Sequence, residues 1–201
     1  MGRRSDTTSR CEIRGFGPAE FEARLNELIA VYAAAMRPPA EQLAGRHPIM
    51  SGHLSYPEFR ALAAVADGDE IAGFCYAFHG EPGQWWHDRV RQGLAATHGQ
   101  TTARAFLDDT LEIAELHVRP EFQGHGIGST LLHQVADDRK ERTVVLSTRD
   151  TETVARRMYR KAGFTDLLTG FRFDGVEPPY AVMGAELPLR PAPASAAKPS
   201  R

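Results

Sequence analysis

The sequence predicts one α/β or α+β domain around a single sheet, on three observations. Two short apolar runs, 60–66 and 71–79, flank Asp67-Gly68-Asp69 and read as an antiparallel hairpin. A third run, LEIAELHV at 111–118, leads through a glycine loop into an amphipathic helix from Gly128 to Arg139 that carries Leu131, Leu132 and Val135. Strand and helix then continue to alternate: VVLS at 144–147, a helix over 152–162 stopped by Gly163, and closing strands near 164–173 and 180–187.

Ahead of the hairpin, Glu12 to Phe16 reads as a short strand closed by Gly17-Pro18. Residues 18–36 place Phe21, Leu25, Leu28, Ile29 and Tyr32 at helical spacing, with Pro18 where a helix start tolerates it. Prolines and glycines break 38–59 into short helices. Residues 80–106, with Trp85, Trp86, His87 and His98, resist regular assignment; short helices at 89–94 and 103–107 fit there. One folded unit over 11–187 is expected, between tails 1–10 and 188–201 whose compositions build no core.

At 201 residues, 42 % hydrophobic and 25 % charged, the chain is an ordinary globular protein. No run reaches the roughly 18 apolar residues of a membrane span, and MGRRSDTTSR lacks the apolar stretch of a secretory signal. Two cysteines are too few for a disulfide framework, so a cytoplasmic protein is expected. The 24 basic and 26 acidic residues give a net charge of −2. The two tails hold six of the bases and one acid, which leaves 18 against 25 and a body charge of −7. Such a body suits a cationic substrate and not a nucleic-acid backbone.

The chemistry concentrates in Gln123-Gly124-His125-Gly126-Ile127-Gly128-Ser129, between strand and helix. Alternate glycines let the backbone turn without Cβ clashes, and the first amides of the helix, with its dipole, favour an anion. There is no lysine for a Walker A loop, and G-x-G-x-G is not the dinucleotide fingerprint G-x-G-x-x-G. The loop matches Q/R-x-x-G-x-G/A.

The segment LEIAELHVRPEFQGHGIGSTLL (111–132) resembles motif A of the GNAT superfamily of acyl-CoA-dependent N-acyltransferases. Ala155, Tyr159, Gly163 and Phe164 in ETVARRMYRKAGF (152–164) resemble its companion pattern N-x-x-A-x-x-x-Y-x-x-x-G-F, with Glu152 where the family often has asparagine. The resemblance implies a GNAT-like domain with a central mixed, mostly antiparallel sheet flanked by helices. It implies acetyl-CoA as cosubstrate, its pantetheine arm paired to main-chain groups of Leu116, His117 and Val118. The amides of Gln123, Gly124, His125, Gly126, Ile127, Gly128 and Ser129 would hold its pyrophosphate.

By the same resemblance Tyr159 donates a proton or hydrogen bond to the departing thiolate, and Glu115 is a general base or a substrate ligand, with Glu112 and His117 as alternatives. In a regular strand Glu115 and His117 share one face and Glu112 lies on the other. Glu112 and His117 otherwise read as polar residues at the sheet margin, and His125 as a solvent-facing loop residue. Trp85 and Trp86 either wall a substrate or anchor their segment. Cys75, in IAGFCYAF, reads as a small core residue, not a nucleophile, and no residue set has metal-ligand spacing. The charge run 137–142 reads as the solvated end of a helix.

The activity implied is transfer of an acetyl group to a primary amine of a small molecule or peptide by direct attack, with a homodimer common in the family. The competing readings are a non-catalytic acyl-CoA-binding regulatory protein on the same scaffold and a nucleotide-binding enzyme.

Overall fold

The computed structural model describes residues 11–173 and 179–191. Of the tails expected at 1–10 and 188–201, residues 1–10 and 192–201 lie outside the described residues. Residues 188–191 are described, and the Arg190 amide donates to the Ala162 carbonyl at 3.0 Å, so the chain is held to the body beyond the expected end of the domain. Strand β1 (Glu12–Phe16) leads into α1 (Pro18–Ala23) and α2 (Leu25–Met36), followed by α3 (Ala40–Ala44) and α4 (Arg46–Gly52). The hairpin β2 (Arg60–Val65) and β3 (Ile71–Gly80) precedes α5 (Trp85–His98) and α6 (Gln100–Leu107). Then come β4 (Thr110–Val118), α7 (Ile127–Val135), β5 (Thr143–Arg149), α8 (Val154–Lys161), β6 (Thr165–Phe171) and β7 (Tyr180–Glu186). Seven strands form one mixed sheet in the order β1-β2-β3-β4-β5-β7-β6. The described pairings are antiparallel except β4 with β5, which run parallel from Thr110↔Thr143 to Glu112↔Val145. The predicted fold class therefore holds.

Among the described residues, one compact unit runs to Phe78 and takes in Ile113–Val135; the other holds His79–Glu112 and the chain from Ala136. The core of the first is Phe21, Leu25, Leu28 and Val31 from α1 and α2 against Phe74, Tyr76 and Phe78 of β3. Burying each such side chain contributes about 1.5–3 kcal/mol. The helix predicted over 18–36 is interrupted at Arg24 (φ −103°, ψ 11°). There the guanidinium is held by Glu27 at 2.7 Å and by the Asp69 carbonyl at 2.8 Å. At Gly73 a Cβ would stand 2.8 Å from the His117 carbonyl oxygen, so only glycine lets β3 run that close to β4.

The second unit packs Val90, Leu94, Ala103 and Leu107 of α5 and α6 against Val145, Leu167, Leu168 and Val182. The stretch 80–106 is thus helical over most of its length, where the sequence suggested only two short helices. Its buried face includes His87, whose ring bonds the Leu107 carbonyl at 2.9 Å, so a polar residue hides the apolar period. The charge run 137–142 also differs from expectation. Helix α7 ends at Val135, ahead of it, and Glu141 is buried, ion-paired with Arg139 and in hydrogen-bond contact with the His79 ring at 3.4 Å.

Candidate active site

The first unit carries a buried charge cluster centred on Glu115, which is 9 % exposed. Alternation along β4 places Glu115 and His117 on one face, as expected, and Oε2 of Glu115 is bonded to Nε2 of His117. Oε1 accepts from Nη1 of Arg46 at the start of α4. The same guanidinium lies 4.3 Å over the Tyr32 ring and donates from Nη2 to the Tyr32 hydroxyl at 3.0 Å. Tyr32 reaches this point because it shares the buried face of α2 with Leu25, Leu28 and Val31. Buried Met50 anchors α4 beneath Arg46.

Rings fix His117 from two further sides: Tyr32 edge-on at 5.1 Å and Phe74 at 5.6 Å. Nearby, Nδ1 of His53 is hydrogen-bonded to the Tyr76 hydroxyl at 2.9 Å. Burial alone would push the Glu115 carboxyl up. The hydrogen bond and charge of His117, then Arg46 and His53, outweigh it and hold the group below the ordinary carboxylate value. Burial pushes His53 down and so favours its neutral form.

Downstream of β4 the loop expected to cradle an anion turns tightly ahead of α7. Nε2 of Gln123 donates to the Val118 carbonyl at 2.8 Å and closes the turn. Gly124 and Gly126 adopt φ of +82° and +83°, and a Cβ on either would meet nothing within 4 Å. Conformation, not crowding, therefore demands glycine there, and the space beside the loop is open. The first main-chain bond of α7 runs from Thr130 N to Gly126 O at 3.0 Å. The amides of Ile127, Gly128 and Ser129 accordingly have no acceptor within the helix. His125 is exposed, as expected. On β4 the His117 carbonyl faces Gly73, so by strand alternation the main-chain groups of Leu116 point to the opposite edge. These features fit a phosphate-bearing cosubstrate.

The second unit holds Tyr159, buried on α8 with its ring 5.7 Å from Phe164. Thr153 caps this helix by accepting from the Arg156 amide at 3.0 Å, while Glu152 pairs with Arg160 at 2.6 Å. The charge of Glu152, which lies just ahead of the cap, is therefore matched by an arginine of α8. Arg156 ties α8 to Asp150 at 2.6 Å and to Asp166 at 2.9 Å. Glu112 is not at a sheet margin: it is 4 % exposed within the parallel pairing, and Oε2 has no partner among the described residues. Burial pushes its carboxyl up to about 8. Trp86 donates to Ser147 Oγ at 3.2 Å, an anchoring contact, whereas Trp85 is 57 % exposed and leans on Phe173 at 5.6 Å. Cys75 is buried and its thiol pushed up by burial, as suits a core residue. Among the described residues no three His, Cys, Asp or Glu side chains cluster as metal ligands.

Arg46, Tyr32, His53 and Tyr76 belong to this cluster, and none was foreseen as a site residue. Arg46 lies in the proline- and glycine-broken stretch 38–59, where nothing in the sequence marks it off from a surface arginine.

The family model described as the acetyltransferase (GNAT) family matches residues 25–164. A GCN5-like protein acetyltransferase of Mycobacterium tuberculosis is 34 % identical over 197 residues, covering 86 % of this chain and 96 % of the relative. Among solved structures, the ribosomal-protein-alanine N-acetyltransferase of Escherichia coli matches with a TM-score of 0.59 at 14 % identity, over 92 % of this chain and 97 % of that one. An acetyltransferase of Thermus thermophilus matches with a TM-score of 0.56 at 16 % identity, over 88 % and 97 %. At such identities the structures attest the fold, while the family match and the mycobacterial relative attest more: this chain belongs to the GNAT family and is an acetyltransferase.

Proposed function

We propose that the chain moves an acetyl group from acetyl-CoA to a primary amine of a peptide or small molecule by direct attack within a ternary complex. The observation that carries this reading is the pairing, on β4, of a buried carboxylate with a histidine, followed by an open loop that leads into helix amides at Ile127 to Ser129 with no acceptor in the helix. Acetyl-CoA supplies the thioester; the amine nitrogen bonds its acetyl carbon as the carbon–sulfur bond breaks. The amides from Gly124 to Ser129 hold the pyrophosphate, that of Gln123 being taken by the Pro120 carbonyl at 3.2 Å, and the free edge of Leu116 offers a main-chain partner to the pantetheine arm. The Glu115–His117 pair accepts the proton that the amine sheds. Tyr159 donates to the leaving sulfur, its phenol being a neutral donor at pH 7. Holding both reactants in place supplies much of the acceleration. The body charge of −7 favours approach of a cationic amine. The mycobacterial relative, named a protein acetyltransferase, supports a peptide amine over a free small molecule.

Thiol release from acetyl-CoA is measured with lysine-containing peptides, polyamines, amino acids and aminoglycosides. Peptides are expected to give the highest turnover. Tyr159→Phe lowers kcat about 10-fold or more and leaves acetyl-CoA binding unchanged; equal turnover removes its role. Thermal stabilisation by acetyl-CoA with no thiol from any amine would establish the non-catalytic binding reading instead.

A further inference from the structure

We propose that Nδ1 of His117 is the atom that takes the proton from the acceptor amine, with Glu115 and Arg46 as positioning residues that choose its tautomer. The inference rests on the transferase reading above and assigns its proton acceptor within the Glu115–His117 pair.

An ionised carboxylate only accepts hydrogen bonds, and the Arg46 guanidinium on Oε1 keeps Glu115 ionised. The nitrogen facing Oε2, which is Nε2, must then carry the hydrogen, and neutral His117 keeps its lone pair on Nδ1. Glu115 is unsuited to the task itself. Both its oxygens are engaged, one by Arg46 and the other by His117. Imidazole has the proton affinity that such a base needs.

Access and rigidity agree with this assignment. Nδ1 has no hydrogen-bond partner among the described residues, and the His117 side chain keeps 10 % of its surface exposed. The Tyr32 and Phe74 rings and the Glu115 bond hold the imidazole in one orientation.

The ionisable groups packed around the pair come from four elements. Glu115 lies on β4 and Arg46 on α4, and their charges cancel. Tyr32 of α2 bonds Arg46, and His53, just after α4, bonds Tyr76 of β3. Burial favours neutral His53 and keeps the Cys75 thiol of β3 neutral. Among the described residues beside the pair, the one guanidinium is thus matched by Glu115. The step balances: Nδ1 gains the amine proton as the carbon–nitrogen bond forms and the carbon–sulfur bond breaks. Tyr159 protonates the departing thiolate, and both residues re-equilibrate with solvent.

The test is the pH profile of kcat/KM for thiol release by the full chain, with acetyl-CoA and the best amine of the panel. His117→Gln places an amide N–H near the position of Nε2, so it keeps the bond to Glu115 and loses the base. It is expected to lower kcat about 10²–10⁴-fold, to abolish the acid limb and to leave acetyl-CoA binding unchanged, with added imidazole restoring part of the rate. Glu115→Gln is expected to lose less, about 10–10²-fold, and to retain an acid limb displaced to lower pH. A native-like rate and limb in His117→Gln, with both lost in Glu115→Gln, overturns the assignment while leaving the transferase reading intact. Absence of thiol from the native chain with every amine overturns that reading and the proton role with it. Nitrogen NMR of His117 in the native chain needs no acceptor: an Nε2–H tautomer supports the assignment, and an Nδ1–H tautomer defeats it.

Discussion

Glu112 and Glu115 stand three residues apart on β4, both largely shut off from water, and their carboxyls are driven in opposite directions. Glu112, in the second unit, has an oxygen with no partner among the described residues, and desolvation acts unopposed. Glu115, in the first, faces the same penalty, but His117 and Arg46 each occupy one of its oxygens. Burial therefore does not decide the protonation of a carboxyl; the donors that the fold delivers to it do. One is an acid near neutrality, the other a fixed anion able to orient an imidazole.

The largest expected effect comes from Arg46→Met, which strips Glu115 of its guanidinium and pushes it toward the condition of Glu112. Removing one member of a buried pair costs about 3–5 kcal/mol. Arg46 keeps 24 % of its side chain in solvent, so a loss of about 3 kcal/mol is expected in urea denaturation at pH 7. Because the folded-state value of Glu115 is lowered, its stabilisation is present above the ordinary carboxylate value and is lost as pH falls through the folded one. The deficit of the variant should therefore shrink on acidification below pH ~4. A deficit independent of pH breaks the comparison.

Glu112→Gln is comparable in size and opposite in sign. Between its ordinary value of 4.5 and about 8, the unfolded chain ionises this carboxyl and the folded chain does not, so stability falls as pH rises through that window and levels off above it. Each pH unit costs the native chain up to about 1.4 kcal/mol. The variant should match the native midpoint near pH 5 and exceed it by several degrees at pH 8, at roughly 2–4 °C per kcal/mol. Parallel native and variant curves from pH 5 to 8 would mean that Glu112 is ionised in the fold after all.

The smallest effect sharpens the picture of the orphaned end. Thr110 Oγ1 is likewise buried without a partner among the described residues, and its side chain shares a face with Glu112. Thr110→Val, of nearly the same shape, is expected to stabilise by about 1 kcal/mol or less. A loss of 2 kcal/mol or more in the same denaturation assay would reveal an ordered water bonded to the hydroxyl, and would place that water within reach of Glu112.

Much of this was legible in the chain. The hairpin about Gly68, the strand ending at Val118, the glycine loop and the helix stopped by Gly163 all follow from local rules, and the structure has each of them. So does the shared face of Glu115 and His117, because side-chain alternation is a property of any strand. The stretch 80–106 was less legible, because His87 takes an apolar position on α5. The break at Arg24 has no local signal, and the Arg24 guanidinium there bonds the Asp69 carbonyl, 45 residues away.

By itself the sequence determined which backbone could turn, which amides at the start of α7 would lack a helical acceptor, and which carboxyl and imidazole share a strand face. Those are consequences of neighbours within a few positions, where covalent geometry and hydrogen-bond periodicity leave few choices. Only the tertiary structure decided that Arg46, 69 residues from Glu115, would reach it across the ring of Tyr32, and that no donor among the described residues would reach Oε2 of Glu112. Proton affinity in a buried site depends on charges a few ångströms away, and packing, not sequence distance, determines which charges those are.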